Sequence, residues 1–441
     1  MSSRSKRLRL GSLATLVVGA VSLTGCSAGS LGGSDSGGKT LTFLSPNDPA
    51  SVASGKALIA AFEKANKGVK VKMEQRPGGA DGDNLIKTRL STGDMDDVFV
   101  YNNGSLLSAI KPATNLIPLD DQPWASNIDE LFKNSSTVGG KLYGAPVGTA
   151  FGGGVLYNIP IYKKLHLKVP KTWGQFMKNS ATIKKAGMTP VEQTYGETWT
   201  SQLFVLGDYH NVQQQVPNFA KQYTAGKDKY ATTPAALAGF QHMQQVHDAG
   251  YFNKDFASAT LNDGLKAVAT GTAAQYPQLG GSASSIEQVA PGQGKNVGFF
   301  ALPGKDASSN GMTVWPGTSA LYIPKSTQGE KLSLAKKFID FATTQNGCNA
   351  YIKGAPPEGP FLSKACKLPS SVSQVAKDTQ AYFSSGDATP ALEFLSPIKG
   401  PNLEQICIQV GTGQVSALKG AQLYDEDVKK QAQQLGLPGW S

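Results

Sequence analysis

Val98-Phe99-Val100-Tyr101 is apolar at four consecutive positions, and a strand of that composition has to be covered on both faces. Helices above and below a sheet are therefore required, and the sequence supplies them. Thr40-Leu41-Thr42-Phe43-Leu44 reads as a short strand, ended by the turn cluster Ser45-Pro46-Asn47-Asp48-Pro49. Leu58, Ala61, Phe62 and Ala65 then recur at helical spacing, with Gly68 in the place of a C-terminal cap. Val69, Val71 and Met73 alternate with Lys70, Lys72 and Glu74, the pattern of a half-exposed strand. The alternation continues with a helix at 173–186, a strand at 189–192, a helix at 234–249, strands at 298–301 and 319–323, and a helix through Leu332, Ala335, Phe338, Ile339 and Ala342. This order predicts the α/β class with a largely parallel sheet. The last third reads as helices. A chain of 441 residues exceeds what a single core usually serves, so two domains or one divided molecule are expected.

The N-terminus reads as an export signal. Arg4, Lys6, Arg7 and Arg9 precede a mostly apolar stretch from Leu10 to Leu23, too short to span a bilayer. Leu23-Thr24-Gly25-Cys26 resembles the lipobox at which bacteria attach diacylglycerol to a cysteine and cut before it. Residues 1–25 are thus expected to be a lipoprotein signal peptide, and 26–38, rich in Gly and Ser, an anchor and flexible linker. The alternative is a plain secretory signal with an incidental cysteine. Net charge is +10, but the basic residues are scattered rather than gathered into a stripe, which argues against nucleic-acid binding. Outside the cytoplasm disulfides are permitted. Cys348 and Cys366, flanking a Gly/Pro-rich loop, are the preferred pair and Cys407 a buried thiol, although three cysteines leave other pairings open.

Motifs whose chemistry depends on spacing lack their context. Gly33-Ser34-Asp35-Ser36-Gly37-Gly38-Lys39-Thr40 has the letters of the phosphate-cradling Gly-x-x-x-x-Gly-Lys-Ser/Thr, and Gly25-Cys26-Ser27-Ala28-Gly29 those of Gly-x-Ser-x-Gly. Both fall in the expected signal and linker or at its end, with no strand before and no helix after, and no Gly-x-Gly-x-x-Gly or His-Glu-x-x-His occurs. Ser333-x-x-Lys336 lies on an amphipathic helix without the companion motifs of Ser/Lys hydrolases. His242 and His247 are five apart, whereas a shared ion needs i, i+4. No catalytic residue, metal or cofactor is expected. A pair of carboxylates suited to glycoside hydrolysis is a spatial feature, so sequence leaves a cell-surface glycan hydrolase open.

Gly140-Lys141-Leu142-Tyr143-Gly144-Ala145-Pro146, Leu156-Tyr157-Asn158 and Pro170-Lys171-Thr172-Trp173 together resemble the centre of the family 1 extracellular solute-binding proteins of carbohydrate ABC importers. Leu90 to Val98, with its Gly-acid-Asp-Val entry to the buried strand, Thr270-Gly271-Thr272-Ala273-Ala274 and Pro324 to Ala342 agree with that family in order. The resemblance implies a two-lobed, type II periplasmic-binding-protein-like fold, each lobe a central sheet flanked by helices, joined by a hinge of about three crossing segments. It implies an N-lobe at 39–147 plus 282–344 and a C-lobe at 148–281 plus 345–441. Ala145 to Val155, with Gly148, Gly152, Gly153 and Gly154, would be the first hinge crossing, or else an ordinary loop. The implied protein is a monomer tethered to the lipid bilayer through Cys26, at the outer face of the cytoplasmic membrane. There it would capture a mono- or oligosaccharide and deliver it to integral-membrane ABC permease subunits. A peptide or polyamine as the solute is the alternative within the same fold.

Ligands of open α/β sheets sit beyond the carboxyl ends of the strands, which selects loops. A sugar needs amides or carboxylates beside a flat ring. Asn47 and Asp48, the segment Gln75 to Asp83, and Tyr101, Asn102 and Asn103 meet that need in the first lobe, although Asn-Asn-Gly also suits a plain turn with Tyr101 on the core. In the second lobe Glu192, Tyr195, Glu197 and Trp199 follow a strand, and Tyr276 and Trp315 lie in or beside family segments that face the cleft. Many relatives carry a tryptophan where this chain has Leu279-Gly280-Gly281. Trp173, behind the N-cap Thr172, is expected to pack structurally.

Overall fold

The computed structural model describes residues 39–317 and 319–440; the signal segment and Cys26 lie outside them. Two sheets dominate. In the first, the strands run in the order Val69–Arg76, Lys39–Pro46, Val98–Asn102, Ser319–Tyr322, Ala145–Pro146. Lys39–Pro46 pairs in parallel with both Val69–Arg76 and Val98–Asn102, and Ser319–Tyr322 closes on Val98–Asn102 antiparallel. The sheet is therefore mixed rather than wholly parallel, because its fourth strand returns from the other lobe. Val98 and Phe99 are fully buried, as a strand covered on both faces must be.

The helix Pro49–Ala65 begins where Pro49 presets φ and Asp48 accepts from Ser51 N at 2.9 Å. It buries Leu58, Ile59 and Phe62, and Phe62 meets Phe338 of the helix Gly329–Thr343 edge to face, ring centroids 5.0 Å apart.

The second sheet has the order Ala388–Pro390, Met312–Trp315, Phe151–Asn158, Ala273–Leu279, Thr189–Val191, with Val297–Ala301 also paired to Phe151–Asn158. The glycine run lies in its centre. Gly152, Gly153 and Gly154 belong to the strand Phe151–Asn158, and a Cβ there would meet Met312 Sδ at 2.2 Å, the Trp315 ring at 2.3 Å and the Phe300 carbonyl at 2.3 Å. Close approach by neighbouring strands, not hinge freedom, requires these glycines. Only Gly148, with φ +77°, lies in the crossing itself.

Among the described residues the chain passes between the sheets three times: at 147–150, between Trp315 and Ser319, and between 363 and 374. These crossings divide the sequence differently from the expected 282 and 345 boundaries. Val297–Ala301 and Met312–Trp315 hydrogen-bond to Phe151–Asn158 and so belong to the second lobe. Gln345–Gly354 belongs to the first, because Gly354 lies directly on the backbone of Ala53 and Ser54. A disulfide joins Cys348 to Cys366, and Cys407 is a buried free thiol.

In the second lobe Thr172 caps the helix Trp173–Lys185, and Trp173 stacks on Phe176 and His242 while its Nε1 donates to Gln245. Its C-terminal helices Leu403–Gly411 and Ala417–Gln434 bury Cys407, Val410, Tyr424 and Val428 in the same core. Among the described residues no helix is long and apolar enough to cross a membrane.

Candidate ligand-binding cleft

Three first-lobe loops follow the carboxyl ends of the parallel strands, and each reaches the same space. Asn47 and Asp48 follow Lys39–Pro46, Gly78 and Gly79 follow Val69–Arg76, and Asn102 ends the buried strand. Opposite them the second lobe presents Phe151, Glu197, Trp199, Gln202 and Trp315, together with Glu393, Lys399 and Glu404 from its C-terminal segment. Between the lobes lies a cavity of about 380 Å³, in the size range of small-molecule sites.

The lobes touch where the first has no side chains. A Cβ on Gly78 would sit 3.7 Å from the Trp199 ring, and one on Gly104, whose φ is +65°, would be 2.5 Å from the Glu393 carbonyl oxygen. The lobes thus meet at these two points.

Of the residues chosen from sequence, Asn47, Asp48, Asn102, Glu197, Trp199 and Trp315 line the cavity. Trp199 is half-buried, with Nε1 donating to Glu197 Oε1 at 2.9 Å, while Glu197 Oε2 accepts from Leu261 N at 3.2 Å. Trp315 is 2% exposed, and its Nε1 donates to Glu393 Oε1 at 2.6 Å. The other five lie off the cavity. Tyr101 is fully buried under Arg76, whose guanidinium sits 5.7 Å from the ring centroid. Asn103 turns the other way and donates to Ser135 Oγ at 3.0 Å. Glu192 is buried at the end of its strand, its backbone N–H bonded to Gln275 O, and burial pushes its carboxyl up to about 8. Tyr195 packs edge-on against Phe252 and Phe256. Tyr276 is sealed in the strand Ala273–Leu279, its hydroxyl bonded to Thr194 and Gln278. In each case alternation along an element, or a one-residue change of direction after it, turns the side chain into the core.

Several lining residues lay outside that choice. Arg76 and Asp83 fall at the carboxyl end of the second strand and the helix after it, within the segment read as a cleft loop. Lys399, Glu393 and Glu404 come from the C-terminal third, where no local pattern marks them. Lys399 Nζ pairs with Glu393 Oε2 at 3.3 Å. Burial works to lower the Lys399 pKa, but Glu393, Glu404 and Asp83 together hold it above the usual lysine value. Burial raises both Asp83 and Glu404, with Lys399 opposing the shift in each. Glu358, also on the cavity wall, is pushed by burial up to about 8, with the Ser373 hydroxyl opposing.

Three buried polar atoms on this wall have no partner: Arg76 Nε, Ser105 Oγ and Gln202 Oε1. Native proteins rarely leave such groups unsatisfied, and here they come from both lobes. Among the described residues no cluster of His, Cys, Asp and Glu is placed to hold a metal ion. The arrangement suits a polar solute with many hydroxyl groups and an apolar face, enclosed by both lobes.

Residues 47–347 match the family model for bacterial extracellular solute-binding proteins. The chain is 30% identical over 311 residues to the "Multiple sugar-binding protein" of Streptococcus mutans serotype c, covering 68% of this chain and 71% of that one. Among solved structures it is similar to a "Chitin oligosaccharide binding protein", with a TM-score of 0.75 and 21% identity over 90% of this chain and 99% of the other. It is also similar to the solute-binding protein RafE in complex with raffinose, with a TM-score of 0.73 and 20% identity over 88% and 99% of the two chains. The chain belongs to the bacterial extracellular solute-binding protein family.

Proposed function

We propose that the protein is the carbohydrate receptor of an ABC importer, capturing a mono- or oligosaccharide between its lobes outside the cell and presenting the closed form to the permease. The observation that carries this reading is the pairing of a half-buried indole ring with hydrogen-bonding groups around one cavity. Trp199 offers its ring to a cavity also lined by Asn47, Asp48, Asn102 and Glu197, with the edge of the buried Trp315 behind them. Rings serve the C–H face of a sugar and amides and carboxylates its hydroxyl rim. The name of the Streptococcus relative supports the same solute class. Closure by ligand contacts to both lobes is a population shift, with no bond made or broken.

The proposal includes a diacylglyceryl anchor on Cys26 and a tether through Gly38 that keep the receptor near its permease. A Cys26→Ser chain expressed in a bacterial host would then leave the membrane fraction; retention there would refute the anchor. For the binding reading, calorimetric titration with hexoses and di- to tetrasaccharides should give saturable binding, while a reducing-end assay on the same glycans shows no turnover. Release of reducing ends that depends on one cleft carboxylate would replace this reading with a hydrolase.

A further inference from the structure

We infer that the preferred saccharide carries a protonated amine, held by Glu197 and Glu404 beside the Trp199 ring; this rests on the saccharide reading above. The chain as a whole is basic, with 42 Lys and Arg against 32 Asp and Glu. The cavity wall reverses that balance: Asp48, Asp83, Glu197, Glu358, Glu393 and Glu404 face Arg76, Lys87 and Lys399.

The pairing within the wall locates the excess. Arg76 and Lys87 come from the first lobe, where Asp83 feels Lys399 first and then both of these charges, and Asp48 lies close to Arg76. Glu393 takes Lys399, and among the described residues it is the one cavity carboxylate in an ion pair within 4.0 Å. Burial pushes the Glu358 carboxyl up to about 8, toward its neutral form, with the Ser373 hydroxyl opposing. Among the described residues Glu197 and Glu404 have no cation within 4.0 Å; burial raises the Glu404 carboxyl, which feels Lys399 from farther off.

Those two carboxylates converge. Both face the Gly78–Gly79 turn: a Cβ on Gly78 would be 3.9 Å from Glu197 Oε1, and one on Gly79 3.3 Å from Glu404 Oε2. Thr198, between Glu197 and Trp199, donates its hydroxyl to Glu404 Oε2 at 2.5 Å, which brings the two acids to one patch. Gln202, 5% exposed on the same wall, has an Oε1 with no donor. The patch is therefore rich in acceptors and negative. An ammonium group brings three donors and one charge, whereas a hydroxyl brings one donor and none. Enclosing Glu197 with a neutral ligand removes its water without supplying a counter-charge, and Glu404 has only the more distant Lys399, a costly arrangement. The Trp199 face adds attraction for a cation.

The experiment compares three series of β-1,4-linked oligomers of two to four units, glucosamine, N-acetylglucosamine and glucose, by calorimetry on the full secreted chain. Glucosamine oligomers should bind at least about tenfold more tightly than either neutral series. Glu197→Gln and Glu404→Gln should each shrink that preference severalfold, with unchanged melting temperatures serving as the folding control. If either variant misfolds, the three ligand series on the unaltered protein decide the matter. Neutral oligomers binding as tightly as glucosamine oligomers would overturn the amine while leaving the saccharide reading intact. Binding of a polyamine or peptide, with no saccharide of any series bound, would overturn both.

Discussion

Trp315 and Glu393 are joined by a 2.6 Å hydrogen bond from the indole Nε1 to the carboxylate, and the other carboxylate oxygen holds Lys399 at 3.3 Å. Strand and C-terminal segment, 78 residues apart in sequence, are thereby fixed to each other at the cavity wall. Glu393→Ala should cost about 2 kcal/mol of stability, because it strands a buried lysine and an indole donor together. Glu393→Gln keeps the acceptor for Trp315 and should cost less. Chemical denaturation of the two variants checks the order; equal stability with the unaltered protein would refute the relay.

Trp199 stands at the contact between the lobes, within van der Waals reach of a side chain on Gly78. Trp199→Ala should weaken saccharide affinity about tenfold. Because the ring is half-buried rather than enclosed in the core, the melting temperature of the free protein should move little. Calorimetry and thermal denaturation on the same sample separate the two effects. Unchanged affinity would return Trp199 to a packing role.

Asp208 is 1% exposed, and burial pushes its carboxyl from 3.8 to about 8, with Asn211 opposing. A raised carboxyl pKa means that the folded state holds a proton the unfolded chain has released. The stability so contributed is complete below pH 3.8 and declines as pH rises toward 8. His242 acts in the opposite sense: burial lowers it to about 3, so folding is penalised as pH falls below 6.5. Between pH 6.5 and 8 the carboxyl effect stands alone of the two. Melting temperature should fall across that window, and Asp208→Asn, which stays neutral, should lessen the decline, the rest of which Glu192 and Glu358 carry. An equal slope in the variant would show that Asp208 does not carry it.

The Cys348–Cys366 bond closes a loop of 18 residues in the first lobe. By chain entropy, its loss should cost about 3 kcal/mol. Replacing both cysteines by serine should lower the melting temperature without altering saccharide affinity, since neither residue lines the cavity. A loss of affinity at unchanged stability would contradict this.

The class of fold was legible because period and composition act locally. Val98 to Tyr101 could only be a covered strand, and the spacing of Leu58, Ala61, Phe62 and Ala65 marked a helix before it. The cleft was half legible for the same reason: loops after strand ends gave Asn47, Asp48, Asn102, Glu197 and Trp199. What failed was direction and distance. Tyr276 and Tyr195 have the chemistry of a sugar site, but the pleat and a turn send them into the core. Gly152 to Gly154 looked like a hinge, because sequence cannot show that Met312, Trp315 and Phe300 press on them from adjacent strands. Lys399, Glu393 and Glu404 reach the cavity only through the final crossing, whose partners lie far away along the chain.

Ligand capture between the lobes is tested most directly by thermal denaturation of the purified protein against a panel of mono- and oligosaccharides, peptides and polyamines. A saccharide at one hundred times its Kd should stabilise the fold by about 2.7 kcal/mol and raise the melting temperature accordingly. Stabilisation by a peptide or polyamine, with none by any saccharide, would contradict the account.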